Sequence, residues 1–187
     1  GTGTLTVNTS MNWDGGSQTT AAGTTLIPAG AVLTVAGGTH TLGRRILNQG
    51  MVNWTAGAIN TTANGTVLEN QAQFNIQTDS NITGDDGSNL EIFLNTGTVT
   101  KSVTSGTSTI SNVRFTNTSP GVLDVQTGTV ALASGDASDS NFNLAAGTFL
   151  NFTGAYTLNA GASITGAGLA QLVGSTLTIG GAVSVEN

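Results

Sequence analysis

The sequence predicts an all-β chain wound into a parallel β-helix, a right-handed β-solenoid of about eight coils with three short strands in each. Three observations carry this expectation. An apolar-x-apolar pair recurs along the chain at the spacing of one coil. Glycine and asparagine punctuate the short alternating runs where corners are needed. No sustained i, i+3, i+4 apolar stripe appears, so nothing reads as an amphipathic helix.

The recurring pairs are Met11/Trp13, Leu33/Val35, Val52/Trp54, Phe74/Ile76, Val99/Lys101, Leu123/Val125, Leu150/Phe152 and Ala170/Leu172. Their first members lie 22, 19, 22, 25, 24, 27 and 20 residues apart, one solenoid coil each with loops of varying length. A second strand follows each pair, at Leu42, Ile59, Ile82, Ile110, Leu132, Leu158 and Ile179. A third precedes the next corner, at Leu47, Leu68, Phe93, Phe115 and, less plainly, Phe142–Leu144. One solenoid domain accounts for residues 1–187.

Asn8, Asn48, Asn70, Asn95 and Asn117 share one phase, between the third strand and the next first strand. Asparagine tolerates a left-handed corner and bonds neighbouring backbone groups. Stacked about 4.8 Å apart, these amides are expected to bond one to the next as a ladder. "LTVN" (5–8) and "VSVEN" (183–187) stop at the same phase without a helical or charged cap. The expectation is a module of a longer solenoid, flanked by further modules and able to associate end to end.

Composition narrows function mainly by exclusion. Only 7% of residues are charged, the net charge is −6, and the basic residues are Arg44, Arg45, Lys101 and Arg114. Binding to nucleic acid needs several cations on one face, and an anionic membrane surface makes the same demand; neither partner fits. No apolar run is long enough for a spanning helix. Cysteine is absent, which excludes disulfides and thiolate metal sites.

"GTHTLGRRILNQGMVNWTAGAI", "TVTKSVTSGTSTISNVRFTNTSPGVLDVQTGTVALASG" and "LAAGTFLNFTGAYTLNAGASITGAG" resemble repeat modules of large bacterial secreted and cell-surface proteins, adhesin-like and pectin-lyase-like β-helices. They are also similar to β-helical carbohydrate-binding modules. The resemblance spans about Met11 to Asn187. It implies an extracellular or cell-surface location and contact with glycans, and it transfers no defined set of site residues.

Strand alternation sorts the candidate residues. The position between each apolar pair faces outward: Asn12, Thr34, Asn53, Asn75, Thr100, Asp124, Asn151 and Gln171. A strip of amides and hydroxyls repeated at every rung suits a hydroxyl-rich plant or microbial polysaccharide. Sugar sites often add aromatic rings, and the candidates are Trp13, Trp54 and Tyr156. Alternation turns both tryptophans inward, where core packing is the default, so exposure of either ring would be the telling observation. An ice-binding face would want a regular threonine grid, which a column with only two threonines lacks.

Catalysis and metal binding have thinner support. Asp79, Asp85 and Asp86 in "TDSNITGDDG" are the nearest approach to a carboxylate pair or a calcium site. Their spacing matches neither an EF-hand nor the glycine-rich nonapeptide repeat, and a solvated or Asx-turn loop is the expected reading over catalysis. His40, the sole histidine, reads as a strand residue with its ring at the surface. Arg44 and Arg45 read as a solvated coil edge. Lys101 occupies a slot filled by apolar residues in other coils; because a buried unpaired ammonium is costly, it is expected to turn outward, towards Glu91 or Asp124. The expected function is thus a non-catalytic polysaccharide-binding module, without a cofactor. A ligand-free structural spacer is the alternative, and a polysaccharide lyase or hydrolase the second alternative.

Overall fold

A computed structural model describes residues 2–19, 22–62, 66–85, 91–182 and 184–185. Among these there is no helix, and every strand pairing is parallel. The chain is a β-solenoid with three faces, one strand of each face contributed per coil.

The first face is a nine-stranded sheet running from Ser10–Trp13 through Val32–Val35, Met51–Trp54, Gln73–Ile76, Thr98–Lys101, Val122–Val125, Asn141–Leu144 and Ser163–Thr165 to Ser184–Val185. The second face has eight strands, from Gly16–Gln18 to Leu169–Leu172. The third face has six strands, from Thr4–Thr6 to Arg114–Asn117. A three-stranded sheet, Ala137–Ser138, Tyr156–Leu158 and Leu177–Ile179, then takes over, joined to the six by a single bridge, Phe115 to Gly135.

Each strand is three or four residues long in most coils, so alternation turns only one or two side chains inward, and stacking turns these into columns. On the first face Leu33, Val52, Phe74, Val99, Leu123, Phe142 and Ile164 stand above one another, all buried. On the second face Ile59, Ile82, Ile110, Leu132 and Phe152 do the same. Burying such a side chain is worth about 1.5–3 kcal/mol. Aromatic rings from two faces meet edge to face in the middle: Phe74 and Phe93 at 5.1 Å, Phe93 and Phe115 at 5.2 Å. At a corner between the first and second faces, Gly57 (φ 75°) lies against the backbone carbonyl of Gly38 one coil below, so closely that a Cβ could not be accommodated.

The register departs from the expected one after Val125. Phe142/Leu144 and Ile164, not Leu150/Phe152 and Ala170/Leu172, continue the first face. Leu150/Phe152 and Ala170/Leu172 belong to the second face, and Tyr156–Leu158 and Leu177–Ile179 to the third. The coil from Leu123 to Phe142 is only 19 residues long. All three faces share the same two-residue alternation, and the third-face strand of this coil, Ala137–Ser138, has no large apolar side chain, so the count slips by one strand without leaving a mark in the pattern.

Candidate binding face

The outward column of the first face is Asn12, Thr34, Asn53, Asn75, Thr100, Asp124, Asn143 and Thr165, each in register with the next. Asn12 through Asp124 stand where alternation puts them. Asn151 and Gln171 do not: they face outward from the second face, beside Ala131, so Asn143 and Thr165 complete the column in their place. Only Asp124 in the column carries a charge.

These side chains bond to one another along the stack. Asn75 Nδ2 donates to Asn53 Oδ1 at 2.8 Å, and Gln73 Nε2 donates to Asn75 Oδ1 at 2.7 Å and Thr100 Oγ1 at 3.0 Å. Thr165 Oγ donates to Asn143 Oδ1 at 2.9 Å, and Gln126 Nε2 to Asp124 Oδ2 at 2.6 Å. Thr100 is nearly covered, at 8% exposure. The result is a pre-oriented row of amides and hydroxyls with some hydrogen-bonding capacity already committed within the row.

The aromatic candidates are withdrawn from the surface. Trp54 is fully buried and its Nε1–H donates to Gly57 O at 2.7 Å. Trp13 is 5% exposed and meets the His40 ring edge-on at 4.7 Å. Tyr156 is buried, with its hydroxyl 2.7 Å from Ser138 Oγ; burial pushes its pKa upward. None of the three presents a ring face to a sugar, because each fills an inward slot that the column must occupy.

His40 is likewise buried rather than at the surface: it occupies the inward slot below Ile59. Its Nε2 lies 2.9 Å from both Trp13 O and Ala36 O, and its Nδ1 3.2 Å from Ala58 O. Arg44 and Arg45 diverge. Arg44 Nη2 donates to Gly3 O and Thr24 O, at 2.8 and 2.6 Å, tying two coils together, while Arg45 pairs with Glu69.

Lys101 does not turn outward. It keeps the inward slot, is fully buried, and places Nζ 2.8 Å from Asp79 Oδ1, 3.0 Å from Thr104 Oγ1, 3.0 Å from Ser108 Oγ and 3.2 Å from Thr78 O. Neither Glu91 nor Asp124 is its ion-pair partner. The hydrogen bond from Lys101 holds the Asp79 carboxyl below the usual carboxylate range. Asp79 Oδ2 also accepts the Gly106 N–H at 3.2 Å. Asp79 is therefore committed to structure; Asp85 is exposed, and Asp86 lies outside the described residues. Among the described residues no three His, Asp or Glu side chains gather as a metal site, and no helix is long and apolar enough to cross a membrane.

The asparagine ladder is present over four rungs. Asn48 Nδ2 donates to Asn70 Oδ1, Asn70 to Asn95 and Asn95 to Asn117, at 2.6, 2.7 and 2.8 Å, all fully buried. Each Nδ2 also donates to a carbonyl opening a strand of the first face one coil above: Gln73, Thr98, Val122 and Asn141. Asn8 is not a rung; the slot in line with Ile27 and Asn48 belongs to Val7, and Asn8 is exposed. Nor do the ladder residues need a left-handed backbone: among the described non-glycine residues only Asn112 has positive φ, at 55°. The amides serve the corner through their side chains, from ordinary strand geometry.

No family model matches the chain, and neither a curated protein nor a solved structure matches it.

Proposed function

We propose that this protein is a non-catalytic, extracellular polysaccharide-binding module, working as an accessory to an enzyme or as part of an adhesin-like surface protein. The observation that carries this reading is the unbroken, almost uncharged polar column on the first face, in register from Asn12 to Thr165. A glycan laid along the stack meets a donor or acceptor at every rung, about 4.8 Å apart, from side chains that their neighbours hold in place. Pre-orientation of this kind lowers the entropy lost on binding.

Affinity electrophoresis of the folded protein through gels containing soluble xylan, mannan, pectin or β-glucan tests the proposal. Retardation in at least one gel, lost in an Asn53→Ala/Asn75→Ala variant, is the expected result. Normal migration in every gel overturns it.

A second reading is a structural spacer without a ligand. It is favoured by the burial of Trp13, Trp54 and Tyr156 and by the hydrogen bonds the column makes with itself. The same electrophoresis separates the two.

A further inference from the structure

A polar concavity lies away from the first face. It sits on the third face where the six-stranded sheet ends at Arg114–Asn117 and only the Phe115–Gly135 bridge carries the ladder onward. Here Ser134, Gly135 and Asp136 leave the regular stack. The two backbone bonds at the bridge are long, Phe115 N to Ser134 O and Asp136 N to Phe115 O both at 3.4 Å. The interruption opens a notch of about 250 Å³ lined by Arg114, Ala133, Ser134, Gly135 and Ala155.

Its chemistry is specific. Arg114 Nη1 donates to Asp136 Oδ2 at 2.7 Å, so a donor fork and an acceptor stand side by side with little net charge. The Arg114 Nε–H is buried and has no partner among the described residues, an orphan donor of the kind that a ligand oxygen satisfies. Ala133, Gly135 and Ala155 supply a small apolar wall. The floor is fixed: the Tyr156 ring lies so close over Gly135 that no side chain fits there. At the rim, Ser134 Oγ accepts the backbone N–H of Asn112, whose positive φ is unusual for a non-glycine residue.

We propose that this notch binds a single neutral sugar ring, a chain end or side branch, through a vicinal diol. One hydroxyl oxygen accepts from the Arg114 guanidinium while its neighbour donates to the Asp136 carboxylate. The C–H face of the ring rests on the alanine wall. An anion fits less well, because Asp136 already neutralises the arginine. The cavity is below the 300 Å³ or so at which drug-sized ligands begin, which restricts it to about one ring. This inference rests on the polysaccharide reading above, but on a different face.

Calorimetry of the folded protein with short neutral oligosaccharides of glucose, galactose, mannose, xylose or arabinose, and with galacturonate as the acidic control, tests it. At least one neutral sugar is expected to bind, and galacturonate more weakly. Ala155→Trp, which fills the notch from an exposed position, and Asp136→Asn, which removes the acceptor, should each weaken binding tenfold or more without lowering the thermal midpoint. Asn53→Ala/Asn75→Ala should change it less than twofold. Undiminished affinity in Ala155→Trp, or tighter binding of galacturonate than of neutral sugars, overturns the proposal. If polymers are retarded in gels but no short sugar binds, the notch fails while the polysaccharide reading stands; if neither binds, both fail.

Discussion

The Lys101 ammonium, fully buried in a column of apolar side chains, lies 2.8 Å from Asp79 Oδ1, a carboxylate at the surface 22 residues earlier. An ammonium has three hydrogens, and here four oxygens surround it, so its burial is offset by charge-assisted bonds rather than by packing. Lys101 thus anchors the 78–80 and 104–108 segments to each other.

Removing the carboxylate leaves the charge inside with neutral partners only. Asp79→Asn is expected to destabilise by about 1–2 kcal/mol, less than for a fully buried pair because Asp79 is part-exposed. Lys101→Met, which restores the apolar column, should be neutral or stabilising. Urea unfolding midpoints of the two variants check the pair of expectations; a large loss in Lys101→Met would contradict them.

The same pair sets an acid limb. The Asp79 pKa is lowered in the folded state, so its contribution is present above the unfolded value of about 3.9 and is lost as pH falls through the folded one. Thermal midpoints measured from pH 5 downward should fall more steeply for the wild type than for Asp79→Asn.

At the opposite end of the scale, Tyr156 stays neutral while folded, its pKa raised by burial. Its contribution is present below about pH 10 and is lost as pH rises beyond it, since only the unfolded chain ionises readily there. Absorbance of the phenolate should therefore appear together with unfolding, not before it.

The amide ladder should fail at its middle rung. Asn70→Ala removes the acceptor of Asn48 and the donor to Asn95, leaving buried polar atoms without partners. At about 1–3 kcal/mol for each unsatisfied group, the loss should be about 2–4 kcal/mol by chemical denaturation. Asn8→Ala, outside the ladder and exposed, should change stability by less than about 0.5 kcal/mol.

The tryptophans give an optical check on the core. With Trp13 and Trp54 buried, emission should be blue-shifted, resist iodide quenching and stay unchanged when oligosaccharide is added. Quenching by iodide in the native state would show that the columns are not packed as described.

The repeat, the absence of helix and the first six rungs, from Met11/Trp13 to Val125, were legible in the chain, because apolar alternation and corner residues are local consequences of strand geometry. The ladder from Asn48 to Asn117 was legible for the same reason: identical residues at identical phase must stack in a solenoid. Beyond Val125 the chain carried no label for its faces: the third-face strand Ala137–Ser138 has no large apolar residue to mark it, and Asn151 and Gln171 stand on the second face rather than the first.

What the sequence by itself determined was the solenoid and the inward-outward sorting of each strand, since both follow from a two-residue period repeated at coil length. Only the tertiary structure decided the fates of the polar exceptions. Lys101 is inside because Asp79, Thr104 and Ser108 close around it, and His40 is inside because three backbone carbonyls, two of them from neighbouring coils, face its ring. The Arg114–Asp136 notch exists because one ladder breaks. Each depends on at least one group about a coil away in sequence, Asp79 for Lys101, Trp13 for His40 and Asp136 for Arg114, and that partner is set by stacking, which no local pattern records.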